Sequence, residues 1–326
     1  MMDNANLYKA RDAKKDEFYT QLVDIEWEFA HYKKHFKDKT ILCNCDNPEY
    51  SNFWKYFHLN FSGLGLRKLI STHYDPNSPV YKMEYAGGND SDIKSGSIAY
   101  LESNGDFRSK ECIDILDSAD IVVTNPPFSL FREYIAQLTE YKKRFLIWGN
   151  NNAITYKDIF PLLKDNKIWL GYMVNKTCVF QVGDGYEYDE NLTNRINDGH
   201  KYGKVPAVSV FTNLDINKRH DYIEMNCSYN PDLYPKYVNY DAIEVSSVHA
   251  IPKDYDDIMG VPITFLSVYN PDQFEIIGNS RDLCIKMSEI AAKGEYMQGG
   301  VRPYIKIDNG KYKYKRLYDR LFIRKK

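Results

Sequence analysis

The first half of the chain alternates short strand-like runs with segments that carry apolar residues at helical spacing. The strand-like runs cover residues 40–45, 67–74, 120–124 and 145–148. Helical spacing is clearest in residues 51–61 and 131–141, which lie between those runs. Strands that alternate with helices build a mostly parallel sheet with helices on both faces. The sequence therefore predicts an α/β fold with a Rossmann-like core.

The composition changes after about residue 221, where Tyr, Asn, Asp and Pro dominate. A shift of this kind marks a second structural unit. Residues 75–104 are rich in Gly, Ser, Asn and Asp and show little periodicity, so they predict an inserted loop or a small hairpin. We therefore expect a core over residues 1–220 and a separate C-terminal region over residues 221–326.

Several polar residues directly follow the predicted strands. They are Asp46, Tyr74, Asp75, Asn125 and Asn150. In open α/β sheets, ligands bind beyond the carboxyl ends of the strands. We expect these residues to lie along one rim of the sheet, and we expect the active site there.

The tetrapeptide Asn125-Pro126-Pro127-Phe128 stands directly after the β-branched run Ile121-Val122-Val123-Thr124. Consecutive prolines fix φ and donate no backbone hydrogen bond. The carbonyl groups of Asn125 and Pro126 are therefore held in set directions, and the Asn125 side chain adds a carboxamide oxygen. Phe128 adds a flat apolar face. A simple turn is the alternative, but the position after a buried strand favours a pocket for a planar base.

Such a pocket suits a base that carries an amino group. The N6 amino group of adenine is a poor nucleophile because its lone pair is delocalised into the ring. Hydrogen bonds from N6 to the Asn125 oxygen and the Pro126 carbonyl would disperse the positive charge that grows on N6 during attack. A base within a duplex cannot reach this pocket, so it must be flipped out and stacked on Phe128.

The charge distribution limits the classes of nucleic-acid protein that fit. The net charge is −2, whereas a sequence-independent coat protein is far more basic. An enzyme that binds a short DNA site needs only a local positive surface. Residues 301–326 contain ten basic residues opposed by Asp308 and Asp319: Arg302, Lys306, Lys311, Lys313, Lys315, Arg316, Arg320, Arg324, Lys325 and Lys326. This segment predicts either a DNA-binding surface or a solvated tail.

The cysteines and the N-terminal segment indicate the compartment. Residues 1–28 are polar and charged, and no apolar run approaches the length of a membrane span. We expect a cytoplasmic protein with reduced cysteines and no membrane contact. Cys43 and Cys45 have no second pair nearby, which favours buried thiols over a metal site. We predict no metal.

Beyond the tetrapeptide, several segments together resemble the adenine-specific DNA methyltransferases, and specifically the EcoRI-type modification methylases. Residues 16–21 resemble the family's N-terminal motif, residues 105–108 its adenine-contacting segment, and residues 125–133 its catalytic loop and helix. Residues 211–215, 234–237 and 259–266 resemble segments peculiar to the EcoRI-type group. The tetrapeptide alone is shared with glutamine and RNA methyltransferases. The longer set covers most of the chain and is more specific.

The resemblance implies S-adenosylmethionine as the cofactor and assigns candidate contacts to it. Tyr19 and Thr20 would line the cofactor pocket, and Asp46 would lie near the methionine or ribose part. The other implied contacts are Tyr74 or Asp75 to the ribose or adenine, Asp106 to the adenine amino group, and Phe107 to the adenine ring. Each has an alternative role: Tyr19 as a core residue, Asp46 as a helix cap and Asp106 as a turn residue.

One feature departs from the general methyltransferase pattern. General methyltransferases have a Gly-rich turn after the first strand, where the backbone approaches the cofactor. Here the turn is Cys45-Asp46-Asn47-Pro48 and contains no Gly. The cofactor contacts at this turn therefore cannot be read from the general pattern.

These observations predict a site-specific methyltransferase that modifies N6 of a flipped adenine in double-stranded DNA, with target recognition in residues 221–326. A restriction endonuclease acting on the same site is an expected partner. The alternatives are a methyltransferase for protein glutamine or RNA adenine, and a non-catalytic DNA-binding relative. Neither the recognition sequence nor the oligomeric state follows from these residues.

Overall fold

The computed structural model describes residues 18–182, 188–196, 198–308 and 310–326. The chain forms two compact units. The first comprises Met1–Phe160 and Ile168–Leu214, and the second comprises Pro161–Lys167 and Asp215–Lys326. Residues 16 and 17 of the predicted N-terminal motif lie outside the described residues.

In the described part of the first unit, ten strands form one sheet in the order β1-β9-β10-β7-β6-β2-β3-β4-β5, with β8 paired to β10. The strands are β1 (Phe18–Thr20), β2 (Thr40–Cys43), β3 (Lys68–Thr72), β4 (Tyr81–Tyr85), β5 (Ser97–Tyr100), β6 (Ile121–Thr124), β7 (Arg144–Asn150), β8 (Trp169–Leu170), β9 (Lys176–Val182) and β10 (Lys201–Thr212).

The centre of this sheet is parallel. β2 pairs in parallel with β3 and β6, and β6 pairs in parallel with β7. The flanking pairs β3–β4, β4–β5, β7–β10 and β9–β10 are antiparallel. The predicted α/β fold class is confirmed, and residues 75–104 form the predicted hairpin as β4 and β5.

The helices of the described ranges are short. They are α1 (Leu22–Phe29), α2 (Lys33–Phe36), α3 (Asn52–Leu59), α4 (Phe61–Leu64), α5 (Lys110–Ser118), α6 (Phe131–Glu140), α7 (Phe160–Lys164), α8 (Glu190–Ile196) and α9 (Ser280–Leu283). Single 3-10 turns cover Phe128–Leu130, Asn151–Thr155, Asn217–Arg219, Val248–Ala250, Ile263–Ser267 and Met287–Glu289. Within the described ranges, no helix is long and apolar enough to cross a bilayer.

Two neighbouring residues of β7 show that helices cover both faces of the sheet. The Trp148 ring lies 5.8 Å from Phe29 of α1 and 4.9 Å from Phe53 of α3, between centroids. A Cβ added to Gly149 would lie 2.4 Å from the Phe131 ring of α6. Because successive strand residues point to opposite faces, α1 and α3 cover one face and α6 covers the other. Gly149 is required for the close approach of α6.

Ser129 and Thr155 are typical N-cap residues, but neither caps the helix that follows it. Ser129 lies in the 3-10 turn before α6, and the N-cap position belongs to Leu130. The Leu130 N–H donates to the Pro127 carbonyl at 2.9 Å, so a backbone hydrogen bond closes the turn before α6. The Thr155 hydroxyl donates back to the Asn152 carbonyl at 2.9 Å, and the next helix begins only at Phe160.

The described residues of the second unit form two small sheets. The strands are β11 (Ile243–Glu244), β12 (Met259–Pro262), β13 (Phe274–Asn279), β14 (Tyr304–Lys306), β15 (Tyr314–Arg316) and β16 (Arg320–Lys325). One sheet has the order β11-β12-β16-β13, and β14 pairs antiparallel with β15 in the other. The apolar segment at residues 261–266 supplies the end of β12 and a 3-10 turn.

A buried ion pair joins β16 to β11. Arg320 Nε lies 3.0 Å from Glu244 Oε2, and Arg320 Nη2 lies 2.6 Å from Glu244 Oε1. Both residues are 8% exposed. The Tyr237 hydroxyl also donates to Glu244, and burial raises the pKa of Tyr237 well above its usual value. Arg320 therefore has an internal structural partner, although it belongs to the basic C-terminal segment.

Arg320→Gln is expected to lower the free energy of unfolding by about 3–5 kcal/mol, because it leaves the Glu244 carboxylate buried without its countercharge. Arg324→Gln on the same strand is the matched control, since Arg324 pairs with Glu275 at the exposed surface. The control should cost about 1 kcal/mol or less. Urea unfolding of the whole chain measures both losses. Equal losses would contradict the structural role given to Arg320.

Candidate active site

Asp46 lies where three parallel strands end. Its N–H donates to the Thr72 carbonyl at 2.9 Å, and its carbonyl accepts from the Ser71 hydroxyl at 2.6 Å, so it is fixed to the end of β3. Its Oδ2 lies 2.9 Å from the Thr124 hydroxyl at the end of β6. The residue is 6% exposed. These bonds hold the carboxylate at the rim predicted from the strand order.

The Gly-free turn that carries Asp46 has a left-handed residue. Cys45 has φ of 62°, a conformation that residues other than Gly and Asn rarely adopt. The Asn44 side-chain oxygen accepts from the Cys45 N–H at 2.8 Å and from the Thr72 hydroxyl at 3.1 Å. The Asn44 side chain thus supports the backbone conformation that a Gly adopts without strain.

Thr124 connects the turn after β2 to the predicted catalytic loop, a role that sequence reasoning missed. Its side chain is fully buried, and its hydroxyl lies within hydrogen-bond distance of the Asn44 carbonyl and Asp46 Oδ2. The signal available in the sequence was a hydroxyl residue at the end of an apolar strand, directly before Asn125. Because Thr124 precedes Asn125 in the chain, the catalytic loop begins next to Asp46.

The tetrapeptide 125–128 stands at the carboxyl end of β6. Asn125 is 7% exposed and Pro126 is buried, while Pro127 and Phe128 are half-buried. The loop continues into the 3-10 turn Phe128–Leu130 and then into α6. The loop is therefore anchored at both ends, by β6 before it and α6 after it.

The loop at residues 104–107 packs against the end of β3. The Asp75 N–H donates to the Asn104 carbonyl at 3.1 Å. Gly105 has φ of 76°, and a Cβ added there would lie 1.8 Å from the His73 carbonyl oxygen. This close approach places the two predicted cofactor segments, at residues 74–75 and 106–107, beside each other.

Gly105→Ala is expected to lower the free energy of unfolding by about 3 kcal/mol or more, because steric overlap with His73 adds to the cost of a left-handed Ala. Gly88→Ala is the matched control: Gly88 has φ of 115°, but nothing lies within 4 Å of its added Cβ. The control should lose only the part of the free energy of unfolding that a left-handed Ala costs. Thermal unfolding of both variants measures the difference, and equal losses would show that the His73 contact is not tight.

The two carboxylates near this loop are held in local turns. The Asn77 N–H donates to Asp75 Oδ1 at 2.8 Å and lowers the pKa of Asp75. The Arg108 guanidinium contacts both oxygens of Asp106, at 2.9 and 2.7 Å, and lowers the pKa of Asp106. Both groups are therefore ionised at neutral pH and act as hydrogen-bond acceptors. The alternative role of Asp106 as a turn residue is compatible with this geometry.

Phe107 is more enclosed than a simple stacking role requires. It is 4% exposed and packs edge-on against Tyr134 with 5.0 Å between ring centroids. Its carbonyl accepts from Gln137 Nε2 at 2.9 Å. Phe107 thus fixes its loop to α6, and its contact with a cofactor ring stays a prediction. Tyr74, by contrast, is 36% exposed.

Tyr19 and Thr20 lie in β1, at the far edge of the sheet, but they contact the segment that follows Asp46. The Thr20 carbonyl accepts from Asn52 Nδ2 of α3 at 2.8 Å, and the Tyr19 ring lies 6.2 Å from the Tyr50 ring. The Thr20 hydroxyl is buried and has no hydrogen-bond partner among the described residues. The structure thus places β1 next to residues 50–52, at the start of α3, a few residues after the turn that carries Asp46.

The family model and the similar proteins all point to the same family. The family model described as the adenine-specific methyltransferase EcoRI matches residues 6–326. The chain is 44% identical over 310 residues to the Type II methyltransferase M.EcoRI of Escherichia coli, covering 90% of this chain and 95% of that relative. It is 43% identical over 273 residues to M.MpnI of Mycoplasma pneumoniae, covering 82% and 84% respectively. No solved structure gives a significant match.

The match to the family model spans both units of the chain and includes the loop at residues 125–128. The relatives align over most of their own length. This chain therefore belongs to the EcoRI family of adenine-specific methyltransferases, and it is a site-specific DNA methyltransferase.

Proposed function

We propose that the enzyme transfers a methyl group from S-adenosylmethionine to N6 of an adenine flipped out of duplex DNA. The observation that carries this proposal is the Thr124 hydroxyl, which joins the start of the loop at residues 125–128 to Asp46 Oδ2 at 2.9 Å. A methyl donor held at Asp46 and a base held at Asn125 would therefore be neighbours. Such positioning supplies much of the rate enhancement in a direct transfer.

The residues near Asp46 fit the proposed cofactor chemically. S-adenosylmethionine carries a sulfonium, an ammonium group, ribose hydroxyls and an adenine amino group, all of which are cationic or hydrogen-bond donors. Three acidic residues stand at the rim: Asp46, Asp75 and Asp106. The buried Thr20 hydroxyl adds a group whose partner is absent from the described residues. When bound, the cofactor supplies an electrophilic methyl group.

We propose that each of these residues holds one part of the cofactor. Asp46, Tyr19 and Thr20 hold the methionine or ribose part. Tyr74 or Asp75 contacts the ribose or adenine. Asp106 accepts from the adenine amino group, sharing its carboxylate with Arg108, and Phe107 supports the adenine from its place against Tyr134.

The loop at residues 125–128 holds the substrate base. Asn125 Oδ1 and the Pro126 carbonyl accept hydrogen bonds from N6, which turns the amine toward tetrahedral geometry and disperses its developing charge. Pro127 stiffens the loop because its ring fixes φ. Phe128, half-buried, offers a face on which the flipped base stacks.

We assign target recognition to residues 221–326, most of the second unit, and we expect a restriction endonuclease acting on the same DNA site. The test of the function is incubation of the enzyme with labelled S-adenosylmethionine and duplex DNA, RNA or protein. Label recovered as N6-methyladenine in DNA is the expected result. Label found only in protein or only in RNA would reject the proposal.

A further inference from the structure

The ten cations of the basic C-terminal segment fall into two groups in the structure. Five form ion pairs within the second unit: Arg302 with Asp319, Lys313 with Glu295, Arg320 with Glu244, Arg324 with Glu275 and Lys325 with Asp256. Their charges are already balanced by the protein. They contribute little to an attractive surface for an anionic partner.

Three of the remaining lysines share one short hairpin, which we define by its described residues 304–308 and 310–316 and call the basic hairpin. Lys306, Lys311 and Lys315 are exposed, and no acidic partner lies within ion-pair distance among the described residues. Lys311 contacts the Tyr312 ring, with Nζ 5.5 Å from its centroid. Residues 301–318 contain six Lys and Arg against one Asp, although the whole chain carries −2.

The base of the basic hairpin is firmly held. The Tyr304 N–H donates to Asn239 Oδ1 at 3.0 Å, and the Tyr304 hydroxyl donates to the Met297 carbonyl at 2.7 Å. Asn239 is 1% exposed, and its Nδ2 donates to the Arg302 and Ile285 carbonyls at 2.8 Å each. The lysines therefore stand on a fixed ribbon, so less conformational entropy is lost when they bind a partner.

The pairing register places two of the lysines on opposite faces of the ribbon. Lys306 is paired across the strands with Tyr314, and Ile305 is paired with Lys315. Cross-strand partners share a face and successive residues alternate, so Lys306 and Lys315 point to opposite sides. Lys311 lies in the connection between the strands. The major groove of B-DNA admits a two-stranded ribbon and has a phosphate backbone along each wall.

We propose that the basic hairpin enters a groove of the target duplex, with Lys306 and Lys315 contacting phosphates on its opposite walls and Lys311 contacting a third phosphate. This inference rests on the proposed function, since it assumes that the second unit binds DNA. Of the ten cations of the basic segment, it assigns phosphate contacts to these three. Arg316 also lies in the hairpin, but its Nη1 donates to the Gln298 carbonyl at 2.9 Å. The C-terminal cations Arg324, Lys325 and Lys326 are left out of that contact.

The test measures binding of the whole enzyme to a mixed-sequence duplex as a function of salt concentration, in the presence of a non-reactive methyl-donor analogue. Each phosphate contact contributes about 0.9 to the slope of log affinity against log salt. Lys306→Gln and Lys315→Gln should each reduce the slope by about 0.9, and the triple variant with Lys311→Gln by about 2.7. At 0.1 M salt the triple variant should bind about 10²-fold more weakly.

The matched control removes the same charge from the same tail. The triple variant Arg324→Gln, Lys325→Gln, Lys326→Gln should keep the wild-type slope. The inference would be overturned if the two triple variants lost equal amounts of salt slope, or if the hairpin variant kept the wild-type slope. If only one of Lys306→Gln and Lys315→Gln reduced the salt slope, the proposed contacts on both groove walls would be wrong.

Catalysis separates this inference from the proposed function. If the wild type binds and methylates DNA while the hairpin variant keeps its slope, only the inference fails. If the wild type neither binds nor methylates duplex DNA, both fail.

Discussion

Asn125→Ala is expected to lower the methylation rate at saturating DNA and methyl donor by about 10³-fold, the scale on which one preorganised catalytic hydrogen bond acts. The affinity for the methyl donor should stay within about twofold, because the residues proposed to bind the donor and the hydrogen bond between Thr124 and Asp46 remain. Asn125 is 7% exposed at the end of β6, so its carboxamide has few orientations available. Single-turnover methylation and calorimetric donor binding measure the two effects separately.

Asn150→Ala is the matched control for that variant. Asn150 ends the neighbouring parallel strand β7, and its Oδ1 accepts from the Asn152 N–H at 2.9 Å. Its loss should affect stability slightly and leave the methylation rate within a few-fold. Asn125→Asp keeps an acceptor oxygen and should retain more activity than Asn125→Ala. A wild-type rate in Asn125→Ala would remove Asn125 from the catalytic group.

Asp46→Ala is expected to weaken methyl-donor binding by about 10²-fold, because a charge-assisted hydrogen bond contributes about 1.5–3 kcal/mol. The backbone of the turn should persist, since the Asp46 N–H and carbonyl keep their bonds to Thr72 and Ser71. The rate at saturating donor should change less than the affinity. Donor titration by calorimetry or fluorescence measures the loss.

Asp120→Ala provides the control for the Asp46 variant. Asp120 directly precedes β6, and its Oδ2 accepts from the Thr40 N–H at 2.8 Å at the start of β2. It therefore joins the same two strands at the opposite end of the sheet. It should lower stability without weakening donor binding. Comparable losses of donor affinity in both variants would mean that Asp46 acts only by holding the strands together.

The parts of the fold that the sequence predicted are those that local pattern determines. The apolar runs at residues 40–45 and 120–124 gave the central strands β2 and β6, because a doubly covered parallel strand requires continuous apolar residues. The position of Asn125 followed from the end of β6. Strands β1 and β9 pair antiparallel at one edge of the sheet, although about 160 residues separate them in the chain. A local sequence pattern does not indicate such a distant pairing.

The remaining features depend on tertiary contacts. From the sequence, Asn44, Cys45 and Thr124 are only polar or small residues. Their hydrogen bonds form because the ends of β2, β3 and β6 meet in the folded chain. In the same way, Arg320 and Lys306 are alike as basic residues of one segment. Only the fold shows that Arg320 is buried against Glu244 and that Lys306 is exposed.

The most direct test of the account is a structure of the enzyme with duplex target DNA and a non-reactive methyl-donor analogue. We predict that the target adenine is extruded, with N6 about 3 Å from both Asn125 Oδ1 and the Pro126 carbonyl oxygen. The donor's sulfur or its replacement should lie on the Asp46 side of that amine. An adenine that stays stacked in the duplex, or one bound away from residues 125–128, would contradict the account.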